Sequence, residues 1–427
     1  MTRSKVSLAW LAVLALGVTA CLPEGMRLPQ NEFLPLLERK SGLIAYLGTD
    51  GNIYMVDQSG SSPRQVTTDA RIAESGYRVY GVPTWTADGQ HLAFAAYEGE
   101  GNANPTKNSL LTVERNGTTP VEAYSSPDYV IYYSWSPDGR RMGVLSETPG
   151  GQALALKLVP AEGGEPETLD TGSPLYWTWA PDSRSLLLHA NGAAGRLAFL
   201  NLGEAVVESG LNAAPSAFKA PAYSPDGRQV LYATQTAASR SALVLADQDG
   251  SHAQTLQEFE PDQDVAFAWS PDGRRVAYLS TPQLAGPITV IDPAGRQDPL
   301  SIEEEAYGFF WSPDSRSLAY FATETLTPED NPDLTEPITV WKLMVLDARS
   351  GAVRRLTRFQ PTERFLQLLP FFDQYHQSLT IWSPDSQNLV VSAYGAPDQP
   401  GLFVVAASGH LEPRFIAEGL LGVWSWK

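Results

Sequence analysis

Short apolar runs alternate with polar turns over most of the chain. Runs of this kind include Met142–Leu145, Leu186–Leu188, Val230–Ala233, Val276–Leu279 and Leu318–Phe321. Each is followed by a second apolar run and a second polar turn, as where Ala242–Ala246 precedes Asp247–Gly250. No segment between the turns has the apolar spacing of a long helix. The pattern therefore predicts antiparallel β-meanders and an all-β fold.

Each meander opens with one short motif, an aromatic residue followed by Ser-Pro-Asp-Gly or a close variant. The aromatic positions are Trp85, Trp135, Trp179, Tyr223, Trp269, Trp311 and Trp382. They lie 50, 44, 44, 46, 42 and 71 residues apart, and a period in the low forties is typical of a four-stranded propeller blade. Proline presets φ for a turn, and glycine accepts the left-handed conformation that closes a hairpin. We therefore interpret these turns as structural.

These repeats resemble the WD40-like PD40 repeats of TolB and its relatives, which include the propeller domains attached to prolyl-oligopeptidase-type peptidases. The resemblance covers roughly residues 42–427. It implies a β-propeller and leaves the function open, because that family includes scaffolds, binding proteins and enzyme-gating domains.

The two ends of the repeat region predict one further blade. Leu43–Leu47, Asn52–Val56 and Arg64–Thr67 have the pattern of three strands that lack an opening strand, and Gly422–Trp426 resembles an opening strand alone. Pairing them would close the ring and cover two sheet edges. We therefore expect an eight-bladed β-propeller of four-stranded antiparallel blades over residues 42–427, with blade 1 formed by residues 42–68 and 421–427. The 71-residue step could instead hold a degenerate ninth unit, but loop insertions are the preferred interpretation.

The N-terminal residues have the pattern of an export signal. Arg3 and Lys5 precede the apolar run Val6–Val18, which at about 1.5 Å per residue is too short to cross a bilayer core of roughly 30 Å. The string from Val18 to Cys21 resembles the lipobox of bacterial lipoproteins, which implies a signal peptide over residues 1–20, lipidation of Cys21 and a tether over residues 21–41. An ordinary cleaved signal with a coincidental cysteine is the alternative. We expect an extracytoplasmic, lipid-anchored protein, with the membrane undecided.

Composition excludes several classes of function. The formal net charge of −18 argues against nucleic-acid binding, because phosphate contacts need clustered Lys and Arg. One cysteine and five scattered histidines predict no disulfide, no metal centre and no cofactor. No Gly-x-Ser-x-Gly, His-Glu-x-x-His or Walker motif occurs. We therefore expect a monomeric, non-catalytic protein, although carboxylate chemistry in the central channel, as in a hydrolase or lyase, stays open.

The longest step between motifs holds two insertions, the acidic loop Thr323–Pro337 and the apolar loop Phe359–Ser378. The second loop supplies the partner-binding candidates Phe365, Leu366, Leu368, Leu369, Phe371, Phe372 and Tyr375. Apolar side chains of this kind either fold back as a small local core or form an exposed patch. An exposed patch would predict a protein partner in the cell envelope.

Aromatic and acidic residues on the same predicted face are candidates for the mouth of the channel. They are Tyr132, Tyr133, Trp177, Asp262, Asp264, Glu303, Glu304 and Glu305. The carboxylates are either solvated loop charge or a negative field that favours a cationic ligand, a basic peptide or Ca²⁺. We expect a protein-binding or scaffolding module, and the alternative is a receptor for a small solute or glycan in the channel.

Overall fold

The computed structural model describes residues 39–427 except 102, 217–218, 237–239, 261–262, 282–284, 331, 333 and 397–398. The predicted signal peptide and Cys21 lie outside the described residues. Strands of the N-terminal half are β1 (Ile44–Leu47), β2 (Ile53–Val56), β3 (Arg64–Gln65), β4 (Arg71–Ala73), β5 (Gly76–Tyr80), β6 (Thr84–Trp85), β7 (His91–Gly99), β8 (Lys107–Glu114), β9 (Val121–Ser126), β10 (Val130–Trp135), β11 (Arg141–Glu147), β12 (Leu154–Pro160), β13 (Glu167–Gly172), β14 (Leu175–Trp179), β15 (Ser185–Ala190), β16 (Arg196–Leu202) and β17 (Val206–Gly210).

The C-terminal half continues the same architecture. Its strands are β18 (Ala222–Tyr223), β19 (Gln229–Gln235), β20 (Ser241–Asp247), β21 (Gln254–Phe259), β22 (Asp264–Trp269), β23 (Val276–Thr281), β24 (Gly286–Ile291), β25 (Leu300–Trp311), β26 (Ser317–Leu326), β27 (Ile338–Asp347), β28 (Val353–Phe359), β29 (Asn388–Ala396), β30 (Gln399–Ala406), β31 (Arg414–Glu418) and β32 (Leu421–Trp424). Helical turns are confined to α1 (Glu363–Leu366), α2 (Phe372–Tyr375) and the 3-10 turns Gly192–Ala194 and Leu369–Phe371 in the part of the chain that is described.

The strands form antiparallel sheets in chain order, as the repeats predict. Strands β10–β13, β14–β17 and β18–β21 make three four-stranded sheets. Two further repeats are joined in one seven-stranded sheet, β22–β28, because β25 is a continuous strand that ends one repeat and opens the next. The prediction of a separate four-stranded sheet for each repeat is wrong at this place.

The N-terminal and C-terminal strands pair with each other. β32 lies antiparallel to β1 in the sheet β3-β2-β1-β32, with Leu421 opposite Leu47 and Trp424 opposite Ile44. All four of these side chains are buried. The chain is thus nearly all β, with four-stranded antiparallel sheets built largely from consecutive strands.

The repeated turns satisfy their own polar groups. In the turn at residues 136–139 the Ser136 hydroxyl donates to Asp138 Oδ1 at 2.6 Å, and the N–H of Arg141 donates to Ser136 Oγ at 3.0 Å. The same serine–aspartate bond recurs at 2.6–2.7 Å in the turns that begin at residues 224, 270, 312 and 383. Each turn therefore forms from residues that are adjacent in the sequence.

Serine replaces glycine in three of these turns, and the replacement links neighbouring turns. Ser183, Ser315 and Ser386 have φ of 61–62°, a conformation that glycine adopts more readily. Ser315 Oγ accepts a hydrogen bond from the N–H of Asp272 at 2.9 Å, and Ser386 Oγ accepts one from Asp314 at 3.1 Å. The hydroxyl thus satisfies a backbone donor of the preceding turn, which offsets the strain.

The tryptophans of the motif also bridge successive sheets. The Trp382 indole N–H donates to the carbonyl of Phe310 at 2.9 Å, and that of Trp135 donates to the carbonyl of Thr84 at 3.1 Å. Trp382 is fully buried. Successive repeats are therefore held face to face by buried apolar packing and by bonds from one repeat to the opening strand of the repeat before it.

Candidate functional site

Most of the large apolar side chains of the insertion Phe359–Ser378 lie in the interior of the protein. Phe365, Leu368, Leu369 and Phe372 are only 3–4% exposed. Phe371 differs, with 48% of its surface exposed. Four of the partner-binding candidates therefore belong to an internal core. At those positions there is no exposed patch, because the side chains pack against the surrounding sheets.

Two aromatic contacts hold the insertion against β25 and β26. The Phe372 ring lies 4.9 Å from the ring of Phe309 in β25, and the Phe365 ring lies 4.9 Å from that of Phe321 in β26. The Thr362 side chain accepts a hydrogen bond from the N–H of Phe365 and so caps α1.

Hydrogen bonds join the insertion to the opening strands of several other repeats. The Tyr132 hydroxyl donates to the carbonyl of Gln374 at 3.1 Å, and the Gln374 side-chain amide donates to the carbonyl of Trp177 at 3.2 Å. The N–H of Ala220 donates to Asp373 Oδ2 at 2.9 Å. The insertion therefore occupies the space that these strands surround, which is where the sequence predicts an open channel.

Two ionisable side chains lie close together in the second half of the insertion, Asp373, which is buried, and His376, which is partly buried. Asp373 is 2% exposed. Burial lowers the pKa of His376, and the nearby Asp373 carboxylate opposes that shift only in part. His376 is therefore held in its neutral form more strongly than an exposed histidine would be.

The aromatic channel-mouth candidates are covered. Tyr132, Tyr133 and Trp177 are 5%, 6% and 0% exposed. The Tyr132 ring packs edge-on against Trp177 and against Tyr375, each at 5.3 Å between ring centroids. Burial raises the pKa of the Tyr132 hydroxyl to about 12. Tyr132 and Tyr133 nevertheless contribute to the wall of the cavity beside the insertion, and Trp177 does not.

The acidic candidates do not converge on one place. Glu303, Glu304 and Glu305 lie within β25 instead of in a loop, and Glu304 pairs with Lys342 and accepts a hydrogen bond from Tyr320 at 3.0 Å. Asp262 lies outside the described residues. Asp264 begins β22, and its side chain is not among those described.

A cavity of about 860 Å³ remains beside the insertion. Its walls come from β5, from the segments around β10 and β11, from the insertion and from the sheet of β1 and β32. The side chains that line it include Tyr97, Tyr129, Ile131, Glu147, Arg364 and Gln367. A volume of this size is in the range of small-molecule sites, roughly 300–1,000 Å³.

Stacked tyrosines form one wall of the cavity. The rings of Tyr97 and Tyr129 lie 5.1 Å apart with an interplanar angle of 29°. The Tyr97 hydroxyl donates to the carbonyl of Val130 at 2.9 Å, which holds the inner ring in place. Tyr129 and Ile131 are each 39% exposed. This wall therefore presents a supported aromatic surface to the cavity.

Few charged groups line the cavity. Arg364 is the single Lys or Arg among the described lining residues, and the carboxylates there are Asp128 and Glu147. Asp128 pairs with Lys157 at 3.1 Å. Burial raises the pKa of Tyr129, Arg364 opposes the shift and Glu147 adds to it, so both charges act on this ring.

Sequence reasoning missed Arg364 and Glu147. Their sole signal is position, since Arg364 belongs to the insertion and Glu147 ends a strand on the same face. Within the described residues there is no cluster of three or more His, Cys, Asp or Glu that could hold a metal ion. None of the helices described there is long and apolar enough to cross a bilayer.

No known family model matches the chain, and no curated protein matches it in sequence. Among solved structures, the dihydro-heme d1 dehydrogenase NirN is 13% identical, with a TM-score of 0.55 over 95% of this chain and 78% of that one. An oligogalacturonate lyase in complex with manganese is 15% identical, with a TM-score of 0.51 over 86% of this chain and 97% of that one.

Matched structures also include a putative TolB from Agrobacterium tumefaciens, which is 17% identical with a TM-score of 0.35 over 75% of this chain and 90% of that one. At such identities a likeness concerns the fold alone. The repeated four-stranded antiparallel sheets of the chain agree with the β-propeller fold that the resemblance stated from the repeats implies.

Proposed function

We propose that the protein is a membrane-tethered, extracytoplasmic and non-catalytic binding module whose ligand enters the cavity beside the insertion. The observation that carries the proposal is that cavity, about 860 Å³ in volume and walled by stacked tyrosines and the insertion. Most of the predicted apolar patch is buried, so the geometry favours a receptor for a small ligand over a flat apolar docking surface.

The proposal includes an eight-bladed closed ring. Seven motif-bearing repeats and the sheet that joins β32 to β1–β3 give this count. The N–H of Gly422 donates to Ser392 Oγ at 3.0 Å, and the Arg115 side chain donates to the carbonyl of Lys427 at 2.8 Å. These bonds connect the shared sheet to repeats from both ends of the chain, as a closed ring requires.

The tether and the compartment rest on the N-terminal string that ends in Cys21. A lipid-anchored propeller would hold its cavity at a fixed height above the membrane, because two or more acyl chains keep a protein attached. Labelling cells with a radioactive fatty acid tests this part. The wild-type chain should be labelled and a Cys21→Ser chain should not.

Ligand binding is tested by thermal unfolding of the detergent-solubilised full-length protein with a library of envelope metabolites, sugars and peptides. A ligand in the cavity should raise the Tm in wild type. It should fail to do so in Gln367→Trp, which places a large ring at the cavity wall. The matched control is Gln387→Trp, at an exposed turn away from the cavity. Equal shifts in both variants would contradict the cavity as the site.

A second candidate function, binding of an envelope protein, is supported by the exposed ring of Phe371. A crosslink and pull-down from intact cells would compare wild type with Phe371→Ser. Loss of one enriched protein in the variant would favour a partner at this position. Enrichment that is unchanged in the variant would contradict it.

A further inference from the structure

The aromatic wall of the cavity suits a flat ligand face that carries C–H groups. Tyr129 is backed by Tyr97, so it can present its ring without first being ordered, and its 39% exposure leaves surface for contact. Preorganised aromatic side chains bind at a low cost in conformational entropy. Pyranose rings, proline rings and aromatic rings all have faces that can pack on such a surface.

The charged side chains beside the aromatic wall, Arg364 and Glu147, limit the class of ligand that the cavity can bind. Among the described residues, neither Arg364 nor Glu147 has an oppositely charged group within the 4.0 Å ion-pair distance. Arg364 donates to Gln367 Oε1 at the long distance of 3.4 Å, which leaves most of its donors available. A simple anion attracted to Arg364 would be repelled by Glu147. A simple cation attracted to Glu147 would be repelled by Arg364.

Hydroxyl groups can serve both side chains at once. A hydroxyl accepts a hydrogen bond from a guanidinium and donates one to a carboxylate, and vicinal hydroxyls on a ring are spaced for planar side chains of this kind. Gln367 adds a group that can both donate and accept. An aromatic wall beside Arg364 and Glu147, which have no ion-pair partner among the described residues, and beside Gln367 is therefore complementary to an uncharged polyhydroxy ring.

We infer that the cavity binds a neutral saccharide, with one sugar ring packed on Tyr129 and its hydroxyl groups hydrogen-bonded to Arg364 and Glu147. This inference rests on the proposed function and specifies the ligand class. Since a charged ligand would also use Arg364 and Glu147, salt dependence separates the two classes. Hydrogen bonds from hydroxyl groups change little with ionic strength, whereas ion pairs at a solvent-open site weaken.

Calorimetric titration of the detergent-solubilised full-length protein tests the inference. The saccharide probes are maltotriose, cellotriose and chitotriose, and the charged probes are trialanine, a zwitterion, and citrate, an anion. At least one trisaccharide should bind with an affinity that is nearly equal at low and high salt. Tyr129→Ala, Arg364→Gln and Glu147→Gln should each weaken that affinity about tenfold, the usual effect of losing one good contact of about 1.4 kcal/mol.

Two control variants remove comparable side chains at positions outside the cavity. Phe415→Ala removes another exposed aromatic ring, and Arg228→Gln removes an exposed arginine of a repeated turn. Both should leave trisaccharide affinity unchanged. Far-ultraviolet circular dichroism and the Tm of each variant check that the fold is retained.

Three outcomes would overturn the inference. Binding of trialanine or citrate alone, with affinity that falls at high salt, would leave a cavity receptor but not a saccharide receptor. Trisaccharide affinity that is unchanged in Tyr129→Ala and in Gln367→Trp would place the sugar elsewhere. Absence of binding by all three trisaccharides, while another library compound is lost in Gln367→Trp, would keep the proposed function and reject this ligand class.

Discussion

The repeated turns and the central insertion are built in opposite ways. In a turn such as residues 270–273, the Ser270 hydroxyl bonds to Asp272 two residues away at 2.6 Å. In the insertion, Asp373 is bonded by the N–H of Ala220, 153 positions earlier in the chain. Turns therefore form from local chemistry, whereas the insertion obtains its structure from sheets that are distant in sequence.

This difference explains where each region is vulnerable. A turn that loses one bond keeps its strands, because neighbouring hydrogen bonds of the hairpin persist. The insertion packs several large side chains against different repeats, so the loss of one leaves a cavity at the centre that the surrounding sheets cannot fill by small shifts.

The largest expected effect is therefore Phe372→Ala, which should lower the free energy of unfolding by about 3–5 kcal/mol, the usual cost of removing a buried phenylalanine ring. Phe372 is 4% exposed and packs on Phe309 at 4.9 Å. Chemical denaturation followed by tryptophan fluorescence measures the change. Phe415→Ala, at an exposed position, serves as the control and should change stability little. A loss below about 1 kcal/mol in Phe372→Ala would mean that the insertion does not depend on this packing.

A smaller effect is expected from Ser315→Ala in a turn, about 1–2 kcal/mol. The substitution leaves the N–H of Asp272 without its acceptor and keeps a non-glycine residue at φ 62°. Ser315→Gly should cost less, because glycine removes the backbone strain while losing the same bond. Thermal unfolding of the two variants gives the order. A larger loss in the glycine variant would contradict this account of the turn.

Acidification should separate the two regions, with the insertion affected first. Burial lowers the pKa of His376 below its ordinary value of about 6.5. As the pH falls below that value, the unfolded chain binds a proton that the folded chain does not, so stability decreases. In the turn at residues 224–227, the Ser224 hydroxyl and the N–H of Arg228 lower the pKa of Asp226. That contribution is present above the ordinary pKa of about 3.9 and is lost only as the pH falls below it.

Denaturation curves between pH 7.5 and 3 measure both effects. His376→Gln should flatten the decline in stability that begins near pH 6.5, although buried His189, whose pKa burial also lowers, leaves part of it. Asp226→Asn should change the curve only below about pH 4. An unchanged slope near pH 6 in His376→Gln would show that this histidine has the same pKa in the folded and the unfolded chain.

Much of the fold could be predicted from the sequence because its determinants are short and repeated. The spacing of Trp135 and its equivalents, and the Pro-Asp turns after them, predict the sheets, and the Trp424 position predicts the strand that pairs with β1. The merged seven-stranded sheet could not be predicted from the sequence. An acidic segment such as Glu303–Glu305 indicates a loop when its partner strand is unknown.

The candidate site was harder to predict for the same reason. An apolar run such as Phe365–Phe372 is compatible with an exposed patch or with a core, and the choice depends on Phe309 and Phe321, which lie at least 44 positions away from it. Arg364, Glu147 and Tyr129 have no common motif. They meet only because the insertion lies across the opening strands of several repeats.

The smallest expected change in stability is that of Phe371→Ser, which should be within about 0.5 kcal/mol of wild type because nearly half of the ring is already exposed. Substitutions at these two adjacent phenylalanines should thus differ by several kcal/mol in their effect on the free energy of unfolding. The pair tests whether the position of a ring relative to the sheets, and not the residue type, decides its role. A double variant of Phe371 and Phe372 would be destabilised by the loss of the buried Phe372 ring. A loss of binding in that variant would therefore not distinguish a surface contact from damage to the fold. Phe371→Ser alone keeps the fold, so a loss of any envelope partner in that variant measures a surface contact. Destabilisation by more than about 2 kcal/mol would show that the Phe371 ring also belongs to the core.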